Sequence, residues 1–198
     1  MAERQVARVG GAVGDWSSLP TVAVVGDSHV VRAGARVLEL RHELDADFVL
    51  KARGGSGINR LPCQPHSLSF DVAVVLLGGN DLASNASIAS AEQLASKLVQ
   101  KLHSIARVVV FCSVWGRHDI SIWHRRNFNR RLQQLTEGSM NLLYHPIERN
   151  INKKKYKARD KIHLNEDGMD NLKKCIRQAA RRGLELYNSQ LPQSFTMD

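Results

Sequence analysis

The stretch Thr21-Val22-Ala23-Val24-Val25-Gly26-Asp27-Ser28 decides the fold. Residues 21–25 form a short run without polar alternation, and the run ends at Gly26, where polar residues begin. A β-branched run of this kind predicts a strand that is buried on both faces of a sheet. The apolar spacing over 30–44 predicts a helix directly behind it, so the pattern begins with a strand–helix unit.

The same alternation continues along the chain. Further strands are predicted at 48–50, 72–77, 108–111 and 142–144, and further helices at 91–105, 122–135 and 166–187. Short strands that alternate with helices of this length indicate right-handed crossovers and a parallel sheet. We therefore predict an α/β domain over 20–188 with a three-layer, doubly wound architecture. A flexible tail or linker over 1–19 and a flexible tail over 189–198 are expected to flank it.

Composition excludes several classes of protein. Apolar residues make up 43% of the 198 residues and charged residues 24%, which is typical of an ordered globular domain. The first thirty residues lack the long apolar core of a secretory signal. The cysteines Cys63, Cys112 and Cys175 lack the spacing of metal ligands. We therefore expect an intracellular, cytoplasmic protein with reduced thiols and without a metal or cofactor.

Positive charge is concentrated in the region 117–182. This region holds 17 Lys and Arg against 7 Asp and Glu, whereas the rest of the chain has a net charge of −1. The densest part is 153–159, which would suit the phosphates of RNA or an anionic membrane. The alternative is a solvated loop and a polar helix face. No aromatic signature of an RNA-binding fold, zinc-finger spacing or P-loop pattern occurs.

The first strand leads into Asp27 and Ser28. In open α/β sheets, sites form at the carboxyl ends of the strands, so the Ser28 hydroxyl is expected at the sheet edge. The backbone N–H of Ser28 would point at a bound anion because it opens the following helix. The alternative is that Ser28 only caps the helix. Asp27 is expected to stabilise the turn through hydrogen bonds.

Two glycine-containing turns follow the second and third strands. Gly57 in the sequence Gly-Gly-Ser-Gly is a candidate backbone donor for a developing oxyanion, and the alternative is a flexible turn. Asn80 in the sequence Gly-Gly-Asn-Asp is a candidate side-chain donor, and the alternative is again a simple turn.

Near the C-terminus, His163 is a candidate general base and Asp160 a candidate partner for its other ring nitrogen. A histidine before a helix can also be an ordinary surface residue. The five candidates together supply a nucleophile, a base, an orienting carboxylate and oxyanion donors, which is the set that acyl transfer needs.

At these residues the sequence resembles the SGNH (GDSL-like) hydrolases over about 21–185. The resemblance implies a flavodoxin-like, five-stranded parallel sheet and ester hydrolysis through an acyl-serine. It assigns the catalytic triad to Ser28, Asp160 and His163, and the oxyanion hole to Ser28, Gly57 and Asn80. Gly55 competes with Gly57 for its role. His29 stands where the family motif has Leu.

A narrower resemblance involves Arg125-Arg126-x-x-Asn129-Arg130-Arg131-Leu132, Tyr144-x-x-Ile147 and Asp160-x-x-His163-Leu164-Asn165-x-x-Gly168. These segments resemble the esterase domain in the first open reading frame of some LINE retrotransposons, whose proteins accompany nucleic acid. The wider resemblance to the SGNH hydrolases implies short acyl groups such as acetyl, with a carbohydrate or peptidoglycan O-acetylesterase as a rival. The alternative to an enzyme is a basic module that binds nucleic acid or anionic membrane and keeps a relic active site.

The substrate is expected to be a small or lipid-like ester. Four apolar residues are candidates for a lipid-facing lip beside the site, with core packing as the alternative. They are Trp115, Ile122, Trp123 and Phe128.

Overall fold

The computed structural model describes residues 19–63, 70–83 and 88–191. Its strands are β1 (Thr21–Gly26), β2 (Asp47–Ala52), β3 (Phe70–Leu76), β4 (Ala106–Cys112) and β5 (Leu142–His145). Its helices are α1 (Ser28–Leu38), α2 (Arg41–Leu44), α3 (Gly79–Ala83), α4 (Ile88–Leu102), α5 (Ile122–Thr136), α6 (Glu148–Ile151) and α7 (Glu166–Gln190). A short 3-10 helix covers Lys154–Tyr156.

The five strands form one parallel sheet in the order β2-β1-β3-β4-β5. The predicted doubly wound α/β architecture is therefore confirmed. β1 pairs with both β2 and β3, so that Val22 lies opposite Phe48 on one side and Val72 on the other. Because the strands are parallel, their carboxyl ends lie at one edge, which is where polar residues collect.

Side chains of β1 alternate between two apolar layers. Val22 and Val24 pack in the layer that contains the buried faces of α1 and α7. Ala23 and Val25 pack in the opposite layer, with the buried faces of α4 and α5. Both layers exclude water, which explains why residues 22–25 are apolar at every position rather than at every second one.

The helix predicted over 30–44 differs in detail from the structure. Two helices, α1 and α2, occupy the segment, and the chain leaves α2 through Asp45 with a φ of 46°. The five-residue α3 and the four-residue α6 were not predicted, because such short helices lack a full apolar period.

The chain outside the predicted domain is only partly described. α7 continues to Gln190, so the predicted C-terminal tail begins within the last turn of this helix. The predicted N-terminal tail, apart from residue 19, and residues 192–198 lie outside the described residues. Within the described part of the chain, no helix is long and apolar enough to span a bilayer. The three cysteines are free thiols.

Gly26 ends β1 for a reason that the sequence did not reveal. A Cβ atom on Gly26 would lie 2.1 Å from Cγ2 of Val30, so a side chain would collide with α1. Because Gly26 has no side chain, α1 can start close against the sheet. The glycine is not needed here for a left-handed backbone conformation. This close approach places Ser28 at the sheet edge.

Candidate active site

Asp27, and not Ser28, caps helix α1. The Asp27 side chain accepts a 3.0 Å hydrogen bond from the backbone N–H of His29. Ser28 is the first residue of the helix, so its hydroxyl is not used as the cap. The alternative of Ser28 as the helix cap is therefore wrong. The hydrogen bond that was expected to make Asp27 stabilise this turn is present.

His29 connects this turn with the loop that carries His163. Its Nδ1 lies 3.0 Å from Oδ1 of Asp27, and its Nε2 lies 3.3 Å from the carbonyl oxygen of Ile162. The ring is 1% exposed and meets the edge of Trp115 at a centroid distance of 4.8 Å. The residue that departs from the GDSL motif therefore packs as a buried link between two parts of the site.

Ser28, His163 and Asp160 lie in one line of contacts. The Ser28 Oγ is 3.4 Å from Nε2 of His163, and Nδ1 of His163 is 2.6 Å from Oδ2 of Asp160. Because a carboxylate oxygen only accepts, Nδ1 carries the ring proton and Nε2 is left to accept a proton from Ser28. The Ser28–His163 distance is longer than that of an ordinary hydrogen bond.

Backbone hydrogen bonds hold Asp160 in place. Its Oδ1 accepts from the N–H of Ile162 at 2.9 Å and from the N–H of His163 at 2.8 Å. The His163 side chain is the strongest influence that holds the pKa of Asp160 well below its ordinary value, followed by these N–H groups. The carboxylate therefore stays ionised and can stabilise a positive charge on the imidazole of His163.

Asn80 lies in α3, with both ends of its amide held. Its Nδ2 donates a 2.8 Å hydrogen bond to the carbonyl of Ser56, and its Oδ1 accepts a 3.0 Å bond from Nη1 of Arg117. Arg117 is in turn fixed by Asp119 at 2.7 Å and 3.0 Å. Because the amide carries two N–H groups, the second can donate to a ligand.

Gly57 follows Ser56 and lies against Asp81. A Cβ atom on Gly57 would lie 2.7 Å from both carboxylate oxygens of Asp81, which also accept from the N–H of Ile58 at 3.0 Å and 3.1 Å. Burial raises the pKa of Asp81. The N–H of Gly57 donates a long 3.4 Å hydrogen bond to the carbonyl of Arg60, and a ligand anion would compete with this carbonyl for it.

The competing candidate, Gly55, has a different place in this turn. Its φ is 72°, a left-handed conformation that favours glycine, and a Cβ there would meet nothing within 4 Å. Gly55 therefore accommodates the turn, whereas Gly57 accommodates the carboxylate of Asp81.

The four residues proposed as an apolar lip separate into two groups. Trp115 and Phe128 are buried in the two core layers. Ile122 and Trp123 are 47% and 61% exposed at the start of α5. Core packing is therefore correct for the first pair, and only the second pair is available to a ligand.

Sequence reasoning assigned no role to Asp81 and Arg117. Asp81 is adjacent to Asn80 in the glycine-containing block, so this neighbourhood could have drawn attention to it. Arg117 follows β4 by five residues at the same edge of the sheet, but its contact with Asn80 depends on the tertiary structure.

Comparison with known proteins agrees with this architecture. The model of the GDSL-like Lipase/Acylhydrolase family matches residues 16–170. No curated protein matches the chain. The psychrotrophic esterase EstA from Pseudoalteromonas sp., solved with monoethylphosphonate as inhibitor, is 15% identical with a TM-score of 0.63 and covers 84% of this chain and 99% of its own.

Two further solved structures are similar. A family 3 carbohydrate esterase from Clostridium thermocellum is 12% identical with a TM-score of 0.61, covering 86% of this chain and 98% of its own. A mutant acetyl esterase solved with an acetate ion is 13% identical with a TM-score of 0.64, covering 86% and 99%. At these identities the likeness shows the fold, whereas the family match extends over most of the sequence. The chain therefore belongs to the GDSL-like lipase/acylhydrolase family.

Proposed function

We propose that the protein is a serine esterase that hydrolyses short-chain, acetyl-type carboxylic esters through an acyl-serine intermediate. The observation that carries the proposal is the line of contacts from Ser28 through His163 to Asp160, with distances of 3.4 Å and 2.6 Å. This is the arrangement that a serine nucleophile needs, because its hydroxyl is unreactive until a positioned base accepts the proton.

In the first step, Ser28 Oγ attacks the ester carbonyl carbon while Nε2 of His163 takes the hydroxyl proton. The carbonyl double bond opens, and the resulting oxygen anion accepts from the N–H groups of Ser28 and Gly57 and from the amide of Asn80. Each such donor is worth about 3 kcal/mol in the transition state. Asp160 stabilises the imidazolium of His163.

Collapse of this tetrahedral intermediate breaks the bond to the alcohol, which receives its proton from His163. Water then attacks the acyl-serine, with His163 again taking a proton, and the acid leaves as Ser28 is regenerated. The nucleophile, the base and the oxyanion donors all come from the chain, so the proposed steps require no metal ion.

The proposed acyl size rests on the family and on two of the similar structures. One of them is named an acetyl esterase and holds acetate, and the other is named a carbohydrate esterase. By analogy with these two proteins, we propose that this protein also acts on acetyl esters. Acetate release from acetylated sugars, compared with release from lipid esters, separates the two main substrate classes.

The test begins with a fluorophosphonate probe, which labels an activated serine without presuming the substrate. Peptide mapping is expected to place the label on Ser28, and Ser28→Ala is expected to abolish both labelling and para-nitrophenyl acetate hydrolysis. Circular dichroism checks that the variant is folded. Hydrolysis by Ser28→Ala at the parent rate would overturn the proposal.

A second proposal concerns RNA, as in the retroelement proteins that segments of the chain resemble. It is supported by a cluster of exposed basic residues around the 3-10 helix. The ammonium groups of two of its lysines make cation–π contacts with the ring of Tyr156. The members of the cluster are Lys153, Lys154, Lys155, Arg159 and Lys161. Fluorescence anisotropy should show RNA binding that weakens steeply with salt, and binding that ignores salt would contradict the proposal. Anionic vesicles form the comparison arm.

A further inference from the structure

Three cationic side chains meet around Gly116, in the loop that follows β4. Nζ of Lys157 donates a 2.7 Å hydrogen bond to the carbonyl of Gly116. Arg125 approaches from α5, and its Nη1 lies 2.3 Å from the position that a Cβ atom on Gly116 would occupy. Arg117 is the next residue along the chain. The absence of a side chain at Gly116 is what lets Arg125 come this close.

These three charges are unequally compensated. Arg117 is paired with the carboxylate of Asp119. Lys157 bonds to a carbonyl group, and within the described residues neither it nor Arg125 has a carboxylate within salt-bridge distance. The Nε of Arg125 is buried and has no hydrogen-bond partner in the described part of the chain.

The repulsion between these cations affects the protonation of Lys157. Burial, together with the charges of Arg125 and Arg117, lowers the pKa of Lys157 to about 8. Partly buried like charges disfavour one another, and an anion placed between them would relieve the repulsion. The buried Nε of Arg125 would gain a partner at the same time.

The cluster lies beside the proposed catalytic groups. Lys157 forms a bridge with Leu164 across the loop that contains Asp160 and His163, so its side chain reaches from that loop to Gly116. On the other side, Arg117 holds Asn80. Through Lys157 the cluster therefore contacts the loop of the proposed base, and through Arg117 it contacts the proposed side-chain oxyanion donor.

We infer that Arg125 and Lys157 form a subsite for a negatively charged group, a phosphate or a carboxylate, on the ester substrate. The inference rests on the proposed esterase function and names the class of substrate. A guanidinium presents several N–H donors in a planar fork and an ammonium adds a point charge, which together suit the oxygens of either anion. The anion would be carried by the acyl part or by the alcohol part of the ester.

The binding test uses phenyl phosphate, which is not a carboxylic ester, and isothermal titration calorimetry of the full chain at low salt. Arg125→Gln is expected to raise the Kd about tenfold, as the loss of a charge-assisted hydrogen bond would. The matched control is Arg130→Gln, which removes the same charge from an exposed position on the same helix. An unchanged Kd in Arg125→Gln, or an equal rise in the control, would overturn the subsite.

The kinetic test compares three activated esters. Para-nitrophenyl acetate is neutral, mono-para-nitrophenyl succinate has an anionic acyl part, and para-acetoxyphenyl phosphate has an anionic alcohol part. Arg125→Gln and Lys157→Gln should each lower the ratio of kcat/KM on one anionic ester to kcat/KM on the neutral ester about tenfold. The ester whose ratio falls identifies whether the acyl part or the alcohol part of the substrate carries the anion. An unchanged ratio for both anionic esters contradicts the subsite.

The two proposals fail in distinguishable ways. If the unaltered protein hydrolyses none of the three esters, the esterase proposal is wrong, and phenyl phosphate binding alone decides whether the anion site exists. If para-nitrophenyl acetate is hydrolysed but neither binding nor the ratio responds to Arg125→Gln, only the subsite is wrong.

Discussion

Nη1 of Arg117 donates a 3.0 Å hydrogen bond to Oδ1 of Asn80, while Nδ2 of Asn80 donates a 2.8 Å bond to the carbonyl of Ser56. The amide is thus held from both ends, and its orientation is set by a residue 37 positions away. Arg117 is accordingly a positioning residue for the proposed oxyanion donor. Its own position depends on the paired contact with Asp119.

Arg117→Met is expected to lower kcat for para-nitrophenyl acetate about tenfold with a smaller change in KM, because the amide of Asn80 loses its orientation. Asn80→Ala, which removes the donor itself, should lower kcat by roughly a hundredfold or more. In the Asn80→Ala background, Arg117→Met should have little further effect. A full additional tenfold loss in the double variant would show that Arg117 acts elsewhere.

Asp160→Asn is expected to lower kcat by about four orders of magnitude while the fold is kept, because the amide favours the wrong tautomer of His163. The pKa of Asp160 lies below its ordinary value, chiefly through the His163 side chain, so the carboxylate stays ionised at mildly acidic pH. Steady-state kinetics measure the loss, and Asp167→Asn, at an exposed carboxylate in the first turn of α7, is the control. A loss of less than tenfold would contradict the role.

Gly57→Ala is expected to disturb the oxyanion side of the site. The new Cβ would lie 2.7 Å from the Asp81 carboxylate, so either the turn or α3 must move. We expect a loss of stability of about 1–3 kcal/mol together with lower activity. Thermal unfolding and ester kinetics measure both effects. Gly54→Ala is the matched control, because a Cβ at Gly54 meets nothing within 4 Å, and an equal effect there would refute this explanation.

The affinity for phenyl phosphate is expected to fall as the pH rises through about 8. The pKa of Lys157 is lowered to about 8, so the ammonium is charged below that pH and neutral above it. The phosphate group is already a dianion above about pH 7, so its own titration does not interfere. Calorimetry between about pH 7 and pH 9.5 measures the change. Lys157→Gln should bind more weakly and with a flat pH profile, and a sloping profile would assign the effect to another group.

Asn129→Ala is expected to lower the melting temperature by roughly 4–8 °C, equivalent to about 2 kcal/mol. The buried Asn129 side chain accepts from the N–H of Val114 at 2.8 Å and donates to its carbonyl at 2.9 Å, so the substitution leaves both groups unpaired. Calorimetric melting measures the shift. Asn127→Ala, on a more exposed turn of α5 where the side chain donates to the carbonyl of Trp123, should shift the melting temperature far less.

The architecture was predictable because each strand carries its own apolar signal. Residues 22–25 are apolar throughout since both sides of the sheet are covered, and the pattern needs no knowledge of distant contacts. The short helix α3 was not predictable in this way, because five residues contain no apolar period. It begins directly after Gly78, whose φ of 106° favours glycine.

Part of the candidate site was also predictable from the spacing of residues along the sequence. Asp160 precedes His163 by three residues, a distance that one loop can close, and the structure contains the 2.6 Å contact. The hydrogen bond from Arg117 to Asn80 and the approach of Arg125 to Gly116 could not be predicted, because they join segments that are distant in the sequence. Such contacts depend on how the helices pack, and a single sequence holds no signal for them.

Ser28 and His163 are 135 residues apart, and the sheet is completed before the histidine is reached. A growing polypeptide that leaves the ribosome therefore presents Ser28 long before His163, its proposed proton acceptor, has been made. Under the proposed mechanism, the Ser28 hydroxyl has no base beside it until the loop of His163 has been made and has packed against the strands. The order of translation would thus delay activation of the proposed nucleophile until nearly the whole domain has been synthesised.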